Sequence, residues 1–155
     1  MQTAEQIRTE FLATWDMTLS VPEPVGLGPH GNRQIIRVLE GRVEGPRLSG
    51  QTLPSTGDWL LLRSDGVGEL NVRSSMKTDD GEYLYMEYRG LMHASPEVMQ
   101  AAFSGTPIPP SDLYFRMAAF FETGSPKYAW LNKVVTVGNG IVALPKLTAS
   151  LYVVM

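Results

Sequence analysis

The sequence predicts an all-β fold, an antiparallel up-and-down barrel or a sandwich that carries one short helix. Three observations support this. Apolar and polar residues alternate with period two in one segment after another, whereas a 3.6-residue period is sustained nowhere beyond the helix. Asp65-Gly66 and Asp80-Gly81 each sit between two alternating segments, the strongest short-range hairpin signal, because the tight turn needs a positive φ that glycine adopts freely. The terminal segments are apolar and would be exposed edges in an open sheet, which favours closure into a barrel.

The elements follow in order. Thr3 and Gln6 have the spacing of a capping box, so residues 1–10 are read as a short helix over 4–10 or as an arm. Phe11 to Val21 alternates Phe11, Ala13, Trp15, Met17 and Leu19 on one face against Thr14, Asp16, Thr18 and Ser20 on the other. Pro22 to Gly31 is rich in proline and glycine and reads as a long loop. Ile35 to Glu44 and Arg47 to Leu53 are strands, with Gly41 and Gly45 marking a sharp bend or bulge. Trp59 to Ser64 is a short apolar strand. Leu70 to Tyr88 is a hairpin about Thr78-Asp79-Asp80-Gly81, with Glu69, Asn71, Arg73 and Ser75 on one face of its first strand and Leu70, Val72, Ser74 and Met76 on the other. Ser95 as cap, Pro96 at the first helical position and Gly105 as stop predict a helix near 96–103. Leu113 to Glu122 and Tyr128 to Gly138 are strands, Gly138-Asn139-Gly140 is a tight turn, and Ile141 to Met155 is the last strand.

The chain has 155 residues, enough for one domain with a real core, and residues 1–155 are read as that single domain. A net charge of −3 with scattered Lys and Arg gives no electrostatic footprint for nucleic acid or an anionic membrane. There is no cysteine, which excludes disulfides and thiolate chemistry, and only His30 and His93 supply imidazole. Neither a secretory leader nor an apolar run long enough to span a bilayer is visible, so a cytoplasmic protein is expected. No dinucleotide fingerprint, phosphate loop or nucleophile elbow occurs, so the expectation is a protein without cofactor or metal.

Several short stretches occur in a recognisable order: Gly45-Pro46-Arg47-Leu48-Ser49-Gly50, Gly57-Asp58-Trp59, Asn71-Val72-Arg73, Thr78-Asp79-Asp80-Gly81, Tyr114-Phe115-Arg116, Phe121-Glu122-Thr123-Gly124 and Tyr128-Ala129-Trp130-Leu131-Asn132. Together, from about Arg37 to the C-terminus, they resemble the bacterial and fungal family known as domain of unknown function 3237. One departure is Asn71, where the family pattern has Asp. The resemblance implies a small antiparallel β-barrel similar to calycin or streptavidin barrels, and it implies no reaction.

These stretches carry residues that a barrel interior could use. Tyr114, Arg116, Ala118, Phe120 and Glu122 share a face of one expected strand, and Tyr128, Trp130 and Asn132 share a face of the next. With Arg73, Trp59, Asp58 and Tyr88 they give the make-up of a small-molecule pocket, apolar walls with few orienting polar groups. Arg73 and Arg116 would hold a carboxylate, enolate or phenolate, guanidinium being planar and permanently charged; the structural alternative is an ion pair at a barrel end. Spaced six residues apart on one strand, Arg116 and Glu122 cannot pair directly, so each needs a partner on another strand or a ligand. Glu122 or Asp58 would act as general base, with Tyr88 or Tyr128 as proton donor.

Two functions fit. One is a cofactor-independent isomerase, cyclase or lyase that moves protons on a small aromatic or polyketide-like substrate. The other is a non-catalytic, lipocalin-like carrier or sensor of a small hydrophobic or aromatic ligand. The last strand, apolar on both faces from Leu147 to Met155, adds the expectation of a homo-oligomer.

Overall fold

The computed structural model describes residues 4–155. Ten strands alternate with little else: β1 (Thr9–Leu19), β2 (Glu23–Gly28), β3 (Gly31–Glu44), β4 (Ser49–Thr52), β5 (Gly57–Leu62), β6 (Gly68–Thr78), β7 (Tyr83–His93), β8 (Tyr114–Glu122), β9 (Thr136–Ala143) and β10 (Lys146–Val154). One helix, α1 (Pro96–Phe103), lies between β7 and β8. Around the wall, β1 pairs with β10, and pairing continues through β9, β8 and β7 to β6. β4 and β5 then share one position between β6 and β3, and β3 pairs back with β1 to close an eight-position antiparallel barrel. β2 folds against β3 outside that circuit.

Alternation explains which side faces in. β6 runs buried at Leu70, Val72, Ser74, Met76 and Thr78 and exposed at Arg73 and Lys77. β8 is buried at Phe115, Met117, Ala119 and Phe121 and exposed at every residue between. Facing them, Trp15, Val43, Leu60, Leu151 and Val153 complete a core in which Trp15 retains 1% of its surface. Burying each large side chain of this kind contributes roughly 1.5–3 kcal/mol. Close approach fixes the bend after β3: a Cβ on Gly45 would collide with the Leu12 carbonyl of β1.

The helix forms as its signals predict. Ser95 Oγ accepts from the Val98 N–H at 3.3 Å, and Gly105 follows the last turn with φ 80°. Ala102 is fully buried, and its carbonyl accepts from the Leu144 N–H, which docks α1 against the turn between β9 and β10.

Several expectations are corrected. Residues 4–8 form no helix, and Thr3 lies outside the described residues. A register shift between Phe11 and Ala13 breaks the expected alternation, leaving Phe11 exposed and Leu12 buried. The proline–glycine segment after β1 contains β2, because β3 offers it an unpaired edge. Tyr128 is followed by a 3-10 helix, Ala129–Lys133, where a strand was expected. Gly138-Asn139-Gly140 is no turn but runs within β9, since inward Gly138 and Gly140 leave room for Met117 and the Phe115 ring. The chain reverses instead at Leu144-Pro145. Among the described residues no helix is long and apolar enough to cross a membrane.

Candidate functional site

Strand register brings a set of polar groups into one inward-facing layer. Asp58 lies opposite Ile36 and Val72, Val72 opposite Tyr88, Tyr88 opposite Ala119, and Ala119 opposite Thr136. Asp58 Oδ1 accepts the Asn71 N–H at 3.0 Å. Burial is the dominant influence on this carboxyl and pushes its pKa up to about 6, against the smaller opposing effects of that N–H and of Arg33. The residue still keeps part of its surface, so a proton can reach it. Tyr88 is 3% exposed; burial first and the Asp58 charge second hold its phenol well above the ordinary value, which keeps it a protonated donor. Its ring meets Trp15 edge-on with centroids 6.2 Å apart. Thr136 is fully buried, and its hydroxyl has no hydrogen-bond partner among the described residues. One step along the barrel, Ser74 Oγ and Thr56 Oγ1 are 3.2 Å apart.

Beside that layer, toward Met76 and Leu48, lies a small void that Asp58, Tyr88 and Thr136 do not line. The free space bounded by Trp15, Leu48, Ser74, Met76 and Met86 is only ≈ 10 Å³, about the room one water needs.

At one end of the barrel a wider groove of about 460 Å³ lies between the β3–β4 loop, the β6–β7 turn and the segment from Lys127 to Trp130. Tyr128 is 5% exposed and donates through its hydroxyl to Asp80 Oδ1 at 2.9 Å. Lys127 and the Thr78 hydroxyl reach the same carboxylate, and these three donors hold it well below the usual carboxylate range. Trp130 forms part of the groove wall.

The structure separates residues that the sequence grouped. Tyr114, Arg116 and Glu122 do share a face, but it is the outer one, as is that of Arg73 and Trp59. The reason is the run of bulky apolar residues at the alternate positions: Phe115, Met117 and Phe121 claim the interior. Arg116 donates to the Phe115 carbonyl and lies over the Tyr114 ring at 5.2 Å. Arg73 lies over Trp59 at 5.7 Å and opposite Glu87, with β7 between it and β8. Glu122 pairs in register with Tyr85, not with Tyr128. The Asn132 amide accepts the Thr123 N–H at 2.8 Å and donates to the Thr123 carbonyl at 2.9 Å, closing the loop after β8. Of the expected catalytic residues Asp58 and Tyr88 share this inward layer, Glu122 lies on the outer face, and Tyr128, the alternative donor, is buried at the end of the barrel. Thr136 was missed because a strand drawn from Tyr128 to Gly138 hides where β9 begins. Among the described residues no group of three or more His, Asp or Glu is placed to hold a metal ion.

Comparison with known proteins agrees with this architecture. The chain is 36% identical over 120 residues to a UPF0311 protein of Clostridium acetobutylicum, covering 76% of each. It is 38% identical over 109 residues to a UPF0311 protein of Rhodopseudomonas palustris, covering 70% of this chain and 71% of that one. Among solved structures, a conserved protein of unknown function from Rhodopseudomonas palustris superposes with a TM-score of 0.91 at 30% identity over 98% of this chain and all of that one. A β-barrel-like protein from Acinetobacter baumannii gives 0.85 at 30% identity over the whole of both chains. A protein from Penicillium herquei described as an enzyme gives 0.76 at 16% identity over 100% and 99%, a likeness of fold alone. The profile of a protein family of unknown function, DUF3237, matches residues 7–154, and the chain belongs to that family.

Proposed function

We propose that this barrel is a cofactor-independent enzyme that moves a proton on a small aromatic or polyketide-like molecule, as an isomerase, cyclase or lyase does. The observation that carries the reading is the Asp58 carboxyl, held near a pKa of about 6 in one interior layer with the Tyr88 phenol and the unpartnered Thr136 hydroxyl. A general base works best when its pKa lies close to the working pH. In the forward step the Asp58 carboxylate takes a proton from carbon next to a carbonyl. The Tyr88 O–H, still protonated, donates a hydrogen bond to the enolate oxygen that forms. The same proton returns at a second carbon, so no electrons leave the substrate and no redox group is required. Met86 is the inward residue next to Tyr88 on β7 and borders the small void with Met76, so a substrate would need these unbranched, adaptable side chains to move aside. A homo-oligomer and a cytoplasmic setting belong to the same proposal.

Deuterium uptake from heavy water into an enolisable aromatic β-diketone tests it. Exchange should rise with deprotonation of a group near pH 6 and fall by roughly 100-fold or more in Asp58→Asn, with a smaller loss in Tyr88→Phe. An Asp58→Asn protein that exchanges as fast as the wild type ends the proposal.

A further inference from the structure

We infer that the groove at the end of the barrel is a binding site for a small organic anion, a carboxylate or an enolate, with Arg47 as its anchor. Both guanidinium nitrogens Nη1 and Nη2 of Arg42 bond the two oxygens of Asp79 at 2.7 Å. Asp80 is matched by Lys127 and takes two hydroxyl donors besides. Asp79 and Asp80 each have a cation beside them, Arg42 being shared with Glu44 at 3.2 Å, and Arg47 remains. No carboxylate pairs with Arg47 among the described residues. Its guanidinium carbon instead lies 3.7 Å from the centre of the Trp130 ring.

That stacking does two things. It holds a long, otherwise floppy side chain flat, so less rotamer freedom is lost when a ligand binds. Contact through the guanidinium face does not use its N–H donors, and a guanidinium fork matches the two oxygens of a carboxylate. The walls suit an organic body as well as a charge: Pro46, Leu48 and Trp130 are apolar, and Tyr128 is held in place by Asp80. The groove is open to solvent, and its free space of about 460 Å³ has room for a one-ring carboxylate. Leu48, 2% exposed, lines both this groove and the central void, so one side chain separates a bound anion from the interior. The site rests on this geometry alone and stands whether or not Asp58 transfers protons.

Sodium benzoate at constant ionic strength is the probe, read by the indole N–H resonances of the three tryptophans. The expected result is a saturable shift of Trp130 with Trp15 and Trp59 little moved. Arg47→Met should weaken binding by about tenfold or more, and Arg47→Lys by less, since it keeps the charge but loses the fork. Arg47 lies exposed in a loop, so both variants are expected to fold, which circular dichroism checks. Arg89→Met, which removes an exposed cation from the outer wall, should bind as the wild type does. Inorganic phosphate, with no organic body, should bind about tenfold more weakly than benzoate. The inference is overturned by any of four results: no saturable shift at millimolar benzoate, unchanged affinity in Arg47→Met, phosphate binding as tightly as benzoate, or an equal response from all three indoles. Benzoate undergoes no proton transfer here, so a failure of the Asp58 experiment leaves this result untouched.

Discussion

In the unfolded chain the Asp58 carboxyl titrates near its ordinary value of 3.8, and in the barrel at about 6. Between those values the folded protein holds a proton that the unfolded chain has already released. Stability therefore falls as pH rises from about 4 to about 6, and the loss persists above that range, by on the order of 2–3 kcal/mol. The Asn71 N–H recovers only part of what burial costs. Asn at this position keeps an oxygen for that N–H and carries no charge to desolvate. Asp58→Asn is thus expected to stabilise the fold by about 2 kcal/mol at neutral pH and by nearly nothing at about pH 3.5. Urea unfolding at the two pH values checks this. An equal effect at both would mean that the carboxyl is not perturbed.

At the scale of elements, what the sequence made legible was alternation and punctuation. The β6–β7 hairpin, with Gly81 at φ 90° after Asp80, and α1 between Ser95 and Gly105 follow from residues whose conformational preferences are local. The inward side of β8 was less legible. Tyr114, Arg116, Ala118, Phe120 and Glu122 read as a pocket face, yet the opposite face of Phe115, Met117, Ala119 and Phe121 is more apolar, and the hydrophobic effect decides which turns in. Asp58 and Tyr88 were legible as chemistry, but their shared layer depends on register across β5, β6 and β7, which no local pattern encodes. The 3-10 helix after Tyr128 was hidden because Tyr-Ala-Trp-Leu-Asn carries strand-like composition while tertiary bonds hold it otherwise. Asn132 makes those bonds from both ends of its amide to Thr123. Asn132→Ala should therefore cost about 1 kcal/mol of stability, two exposed bonds being worth less than buried ones. Chemical denaturation measures it, and a loss of ligand affinity with unchanged stability would instead place Asn132 in the binding set.

At the scale of the molecule, the barrel wall is not uniform. Register places Phe11 beside Tyr152, Tyr152 beside Val137, and Val137 beside Ala118 on the outer surface of β1, β10, β9 and β8. Phe11 and Tyr152 touch edge to face with centroids 5.7 Å apart. Phe120 and Val135, 57% and 43% exposed, extend this row toward the end of the barrel where β8 stops. The adjacent row, Arg116, Asn139, Ser150 and Thr14, is polar. β10 has Leu147, Ala149, Leu151 and Val153 committed to the interior, and on its other side Tyr152 and Val154 add to the strip while Thr148 and Ser150 do not. An apolar strip with a polar border on a closed barrel suits a second copy of the same chain, because two such strips can meet about a twofold axis. On this part of the wall every strand is paired on both sides, so the contact would be face to face through side chains. Light scattering is expected to give a dimer or a higher even assembly at micromolar concentration. Phe120→Glu combined with Tyr152→Glu should shift it to monomer while leaving the circular dichroism spectrum unchanged, since both side chains point out of the barrel. A wild-type protein that is monomeric under those conditions removes the assembly and leaves the strip without a partner.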